Sequence, residues 1–176
     1  ISITALRASN AELGDKVAVL GLGLVGNLCA QLFKLAGCDV IGIDLALARL
    51  ELAEQCGIQH VANAGTEDSI ETVMDFTHGC GCETVVEATG NPAVAETAPE
   101  LAGNKGEVIL LGSPRRDHDT NITPFLNQVH LWSNGCVTIK GAHHRSYPLR
   151  KEESGHVKHS IERNIEILLQ LVGHGD

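Results

Sequence analysis

The residues best suited to chemistry in this sequence are three glycines and one aspartate. Gly21-Leu-Gly23-Leu-Val-Gly26 follows the apolar run Val17-Ala-Val-Leu and opens a helical pattern, so a strand runs into a helix through Gly-x-Gly-x-x-Gly. Gly21 permits the tight turn, Gly23 lets the backbone approach a diphosphate with no Cβ in the way, and Gly26 lets helix and strand pack closely. Leu24 and Val25 lie inside the motif at the start of that helix, where free N–H groups and the positive end of the dipole favour an anion. Asp44 closes a second apolar run 23 residues after Gly21. An acid there accepts hydrogen bonds from both hydroxyls of an adenosine ribose and repels a 2′-phosphate, so the chemistry indicated is binding of NAD(H).

The elements that must hold these groups can be read from periodicity. Short, continuous apolar runs at residues 16–20, 39–43, 59–62, 83–88, 107–111 and 137–140 predict strands buried on both faces of a parallel sheet. Between the first two lies a helical stripe of Leu24, Leu28 and Leu32 with Val25, Cys29, Phe33 and Ala36, ending at Gly37. Further helices are predicted at 46–56, 68–77, 92–101 and 157–172, the last carrying Ile161, Ile165, Leu168, Leu169 and Val172 on one side. The alternation predicts a single α/β domain with a doubly wound, six-stranded parallel sheet, a Rossmann fold. Ligands of such sheets bind at the carboxyl ends of the strands, where the order reverses between the first and the fourth. Thr89-Gly90 after the fourth strand and Gly112-Ser113 after the fifth then face one crevice. The polar stretch 143–156 is expected to be an exposed loop.

Composition narrows the partners. With 13 Lys or Arg against 22 Asp or Glu the net charge is −9, which disfavours nucleic acid and anionic membranes, and no run approaches a membrane span. No signal peptide is evident and six cysteines are too few for a disulfide scaffold, so the expectation is a cytoplasmic protein with reduced, mostly buried thiols. The lack of an initiator Met and the abrupt ending at Gly173-His-Gly-Asp176 suggest a piece of a longer polypeptide.

Taken together, Leu13-Gly-Asp-Lys-Val-Ala-Val-Leu-Gly-Leu-Gly-Leu-Val-Gly26, Val40-Ile-Gly-Ile-Asp44, Val85-Val-Glu-Ala-Thr-Gly90, Gly106-Glu-Val-Ile-Leu-Leu-Gly112 and Ile139-Lys-Gly-Ala142 resemble the coenzyme-binding domain of a medium-chain, zinc-type alcohol or polyol dehydrogenase. The resemblance spans the whole chain. It implies that Arg49, five residues after the ribose-binding acid, also contacts the ribose, although the same residue reads equally as a solvated helix charge. It implies nicotinamide-side contacts, mostly through backbone, from Ala88, Thr89, Leu111, Gly112, Ser113, Ala142 and His144, with Gly90 beside them as a further cofactor-binding residue. It also implies a homodimer joined through the last sheet strand, about residues 129–140, and a zinc-bearing, GroES-like catalytic domain absent from this sequence.

No catalytic residue and no metal site is assigned within the chain. His78-Gly-Cys80-Gly-Cys82 lacks the second ligand pair of a tetrahedral site and reads as a helix-ending loop, while the adjacent His143 and His144 should point apart. Two other classes share the glycine loop. A nucleotide-sensing module of a potassium-transport system is the first alternative, though it is shorter and is not expected to contain a segment like Ile139-Lys-Gly-Ala142. An S-adenosylmethionine methyltransferase usually has an acid before the loop, where this chain has Leu20.

Overall fold

Runs such as Val17-Ala-Val-Leu have no polar face to offer water, and side chains alternate across a strand, so both faces of each run must be covered. A computed structural model of the chain, describing residues 1–150 and 158–175, satisfies this with one six-stranded, all-parallel sheet. The strands are β1 (Lys16–Leu20), β2 (Asp39–Asp44), β3 (His60–Asn63), β4 (Cys82–Glu87), β5 (Ala102–Leu110) and β6 (Thr138–Gly141). Their spatial order is β3-β2-β1-β4-β5-β6, so the chain winds outward in both directions from β1 and β4.

The helices are α1 (Ser2–Ala8), α2 (Leu24–Leu35), α3 (Leu47–Gln55), α4 (Ser69–Phe76), α5 (Pro92–Thr97), α6 (Thr123–His130) and α7 (Ile161–His174). Alternation along β1 divides the core between two layers. Val17 and Val19 pack with Ala5, Cys29, Phe33 and Leu50 on one face, and Ala18 and Leu20 pack with Val73, Ala98 and Leu101 on the other. Gly37 and Gly57 end α2 and α3 with φ of +91° and +85°, conformations that glycine adopts without strain.

Several expectations need correction. Of the predicted α2 stripe, Cys29, Leu32 and Phe33 are buried, but Leu24 is 80% exposed and Leu28 and Ala36 are exposed too. The buried face centres on Gly26, Cys29, Ala30 and Phe33, and Leu24 and Leu28 lie to one side of it. The helix predicted at 92–101 is α-helical only to Thr97 and continues as a 3-10 turn, Ala98–Leu101. Pro99 has no N–H to give an α-helical bond. The dimer edge expected over 129–140 is a strand only at β6. Val129 and His130 finish α6, whose first turn contains Pro124, and Trp132–Asn134 forms a 3-10 turn before Gly135 at φ +107°.

Two more corrections concern the periphery. α7 turns Asn164 inward with Ile161 and Leu168 half-buried, and leaves Ile165, Leu169 and Val172 exposed, so only part of the predicted apolar side packs. Of the cysteines, Cys29, Cys38 and Cys82 are buried, Cys56 is half-buried, and Cys80 and Cys136 are exposed. The expected loop 143–156 is largely exposed as far as Arg150 and includes the 3-10 turn His144–Ser146; residues 151–156, and residue 157 of the last predicted helix, lie outside the described residues. Among the described residues no helix is long and apolar enough to cross a membrane.

Candidate functional site

The three glycines occupy one turn for three different steric reasons. Gly21 has φ +90°, its N–H donates to the Ile43 carbonyl at 2.7 Å, and a Cβ on it would stand 2.6 Å from Thr89 Cγ2. A Cβ on Gly26 would stand 1.8 Å from the Gly21 carbonyl oxygen, so α2 rests backbone to backbone on the turn. A Cβ on Gly23 would meet nothing within 4 Å. The open space above Gly23 adjoins the first N–H groups of α2, from Leu24, Val25 and Gly26, which have no carbonyl of a preceding turn to bond. An anionic diphosphate fits this cradle by both shape and charge.

Asp44 ends β2 beside that turn and is only 7% exposed. Its Oδ2 accepts the Leu22 N–H at 2.7 Å and Arg49 Nη1 at 3.3 Å, and its Oδ1 accepts the Ala46 N–H at 2.9 Å. Burial works to raise its pKa, but the Ala46 and Leu22 N–H groups and Arg49 outweigh it and hold the carboxyl below its ordinary value. Oδ1 accepts a single bond from the protein, which leaves lone-pair capacity for a ligand hydroxyl.

Gly21, Asp44, Arg49 and Thr89 line a single crevice of about 630 Å³ at the carboxyl ends of β1, β2 and β4. Its walls include Leu45, Ile70 and Val94, apolar side chains suited to the faces of a flat heteroaromatic ring. The sequence reading missed these three. Leu45 follows the acid directly and could have been suspected, whereas Ile70 and Val94 arrive from α4 and α5 only through the fold.

The second half of the predicted site sits across the switch point. The Ala88 N–H donates to the Leu20 carbonyl at 2.8 Å, and the Leu111 and Gly112 N–H groups both donate to the Glu87 carbonyl, at 2.9 and 2.8 Å. A Cβ on Gly90 would stand 2.4 Å from the Ser113 carbonyl oxygen, so Thr89-Gly90 and Gly112-Ser113 pack against each other, while only Thr89 of the four lines the crevice that holds Asp44. The Ala142 N–H donates to the Leu110 carbonyl at 2.9 Å, which aligns the end of β6 with that of β5. His144 follows on a 3-10 turn, its ring 4.6 Å from that of His143, so the two side chains lie side by side and do not point apart as expected, because the chain turns there instead of running extended. Desolvation first, then His143 and Arg145, lower the His144 pKa below the usual imidazole value.

Among the described residues no three His, Cys, Asp or Glu side chains gather as a metal site. Cys82 is buried and its thiol is pushed up to about 12, whereas Cys80 two residues earlier is exposed.

Residues 25–153 match the family of zinc-binding dehydrogenases. The chain belongs to that family. A zinc-type alcohol dehydrogenase-like protein of Haemophilus influenzae is 26% identical over 94% of this chain and 48% of its own length. The sorbitol dehydrogenase of Bacillus subtilis is 27% identical over 75% of this chain and 38% of its own length. Among solved structures, benzyl alcohol dehydrogenase from Acinetobacter calcoaceticus superposes with a TM-score of 0.80 and 26% identity, covering 99% of this chain and 43% of that one. A zinc-binding dehydrogenase from Sinorhizobium meliloti bound to NADP superposes with a TM-score of 0.70 and 25% identity, covering 80% of this chain and 41% of that one. The chain thus spans less than half the length of each of these dehydrogenases. None of them is a potassium-transport regulator, and that alternative has no support from these matches.

Proposed function

We propose that this chain is the NAD(H)-binding domain of an oxidoreductase that transfers hydride between an alcohol or polyol and nicotinamide. The observation that carries the proposal is the buried Asp44 carboxylate, held at the end of β2 beside an open glycine turn and facing the crevice. In this reading the N–H groups of Leu24, Val25 and Gly26 receive the diphosphate, and Asp44 and Arg49 receive the adenosine ribose. Ala88, Thr89, Gly90, Leu111, Gly112, Ser113, Ala142 and His144 form the side on which nicotinamide lies. The bound coenzyme supplies the hydride chemistry, and the residues of this chain bind and orient it. Substrate activation belongs to a separate GroES-like domain carrying zinc, and the isolated chain is inactive.

The reading extends to assembly and location. β6 is an edge strand, with Ile139 half-buried and Leu131 and Trp132 exposed beside it, and a homodimer pairing this edge removes an aggregation hazard. Composition favours a cytoplasmic location, with no nucleic acid or membrane partner.

Calorimetric titration of wild type and Asp44→Ala with NADH and NADPH tests the proposal. Wild type is expected to prefer NADH, and the variant to lose NADH affinity selectively, since a hydrogen bond to a charged group contributes about 1.5–3 kcal/mol. Equal wild-type affinities for the two coenzymes would refute the assignment, because Arg49 would then be neutralising a 2′-phosphate that Asp44 is argued to repel.

A further inference from the structure

Glu87 closes β4 within the apolar run Val85-Val-Glu-Ala, and it is 1% exposed. A carboxylate taken so far out of water needs compensating partners. Among the described residues no Lys, Arg or His forms an ion pair with it. Its Oε1 instead accepts the N–H of Thr89 at 2.7 Å, the N–H of Gly90 at 3.0 Å, and the Thr89 hydroxyl. Its Oε2 lies 3.3 Å from the Gly90 nitrogen. Every one of these partners is a donor, the arrangement an ionised carboxylate satisfies.

The main chain of the same residue reaches the neighbouring turn, since its carbonyl accepts the N–H groups of Leu111 and Gly112. At that junction a Cβ on Gly112 would fall 2.2 Å from the Gly90 nitrogen and 2.8 Å from Glu87 Oε2. The turn after β4 and the turn after β5 therefore pack backbone to backbone, with the Glu87 carboxylate bonded to the first and its main-chain carbonyl to the second. Gly21 is fixed separately, by its bond to Ile43 in β2, and the Asp44 carboxylate by Leu22, Ala46 and Arg49.

We propose that the Glu87 carboxylate is a positioning residue for the nicotinamide half of the dinucleotide: it sets the backbone of Thr89 and Gly90 against the Leu111-Gly112 turn, and its loss falls more heavily on the ring than on the adenosine half, whose crevice Thr89 also lines. The inference rests on the dinucleotide-binding reading above. Nicotinamide presents a carboxamide and a flat ring, which backbone N–H and C=O groups can orient only if two independent turns keep their relative placement. A gap between those turns costs the ring its orientation, and it costs the ribose and the diphosphate less, because Asp44 and Gly21 keep their own bonds to Leu22, Ala46, Arg49 and Ile43.

The test is calorimetric titration of the full chain with NADH and with ADP-ribose, which lacks only the nicotinamide ring. In Glu87→Gln the amide nitrogen brings further donors to a place lined by donors. The expected result is about a tenfold loss of NADH affinity, with ADP-ribose affinity kept within about twofold. Thr89→Val, which removes one bond to the carboxylate and keeps the buried charge, should show a smaller loss with the same pattern, and it carries the test if Glu87→Gln does not fold. A loss equal for both ligands, or a folded variant with unchanged NADH affinity, would overturn the proposal. So would a wild type that binds NADH no more tightly than ADP-ribose. Wild type that binds neither ligand would instead refute the dinucleotide reading itself.

Discussion

Adding one methyl group at either of two glycines three residues apart should produce opposite kinds of damage. In Gly26→Ala the new carbon would lie 1.8 Å from the Gly21 carbonyl oxygen, a backbone atom that no rotamer change can remove. An ordinary carbon–oxygen contact is about 3.3 Å, so the start of α2 must retreat by about 1.5 Å. Overpacking of this kind costs about 3 kcal/mol, against which alanine in a helix regains about 1 kcal/mol over glycine, leaving about 2 kcal/mol of net destabilisation. For a chain of this size that lowers Tm by about 4–8 °C. In Gly23→Ala the methyl group meets open space at a φ of −61° that alanine accepts, so stability should change by less than about 1 kcal/mol, the scale of a weaker N-cap. The same methyl group occupies the approach to the first N–H groups of α2, and NADH affinity should fall by at least about tenfold. Thermal unfolding of the ligand-free variants, followed by circular dichroism, and NADH titration of each check the pair. If Gly23→Ala unfolds as early as Gly26→Ala, or binds NADH as wild type does, the assignment of the open space to the diphosphate is wrong.

Three further outcomes follow from the same coordinates. The folded pKa of Asp44 is depressed below its unfolded value of about 3.9, so its contribution to stability is complete above that value and disappears as pH falls through the folded pKa; the stability gap between wild type and Asp44→Asn should narrow from pH ~6 to pH ~3, and a constant gap would contradict the depressed pKa. Ellman titration of the folded chain should show Cys80 reacting promptly, while Cys29 and Cys82, buried and pushed up to about 12, stay silent until unfolding; mass spectrometry finding label on Cys29 in the folded protein would count against that packing. Sedimentation at tens of micromolar should give a dimer, and Trp132, the single tryptophan and 74% exposed in the lone chain, should shift its emission to the red on dilution; a monomer at that concentration removes the edge-pairing proposal.

What could be read from the sequence divides along a physical line. β1 is recovered to the residue, and β2 and β4 to within about one residue at each end, because a doubly buried strand must be apolar throughout; β3 and β6 are placed as closely, but as the sheet edges they are mostly exposed or half-buried and not buried on both faces as expected. β5 begins five residues earlier than the predicted 107, at Ala102-Gly-Asn-Lys-Gly, which has no strand signal. That stretch joins the sheet because Cys82 pairs with Ala102 across a register shift, with Lys105 turned to φ +61°. The sequence reading places no helix at α1 or α6, neither of which has a side-chain N-cap, whereas α4 and α5, equally short, are opened by the caps Asp68 and Asn91.

The site divides in the same way. Gly21, Gly23, Gly26 and Asp44 were legible because each answers a local demand: a turn, an approach, a close packing, a carboxylate at a strand end. Glu87 was not, although it sits in a quoted motif, because Val-Val-Glu-Ala-Thr-Gly shows only a polar residue near the end of an apolar strand. Its use depends on Gly112, 25 residues later, returning close enough that no Cβ fits between them. A single sequence carries the residue type at each of those positions, and the distance between them exists only once β5 has been laid beside β4. A buried acid that bonds one turn through its carboxylate, where that turn packs on the next, is therefore where folding and binding draw on the same interactions. Stability measured without ligand and affinity measured with NADH should be coupled at Glu87 and independent at Gly23.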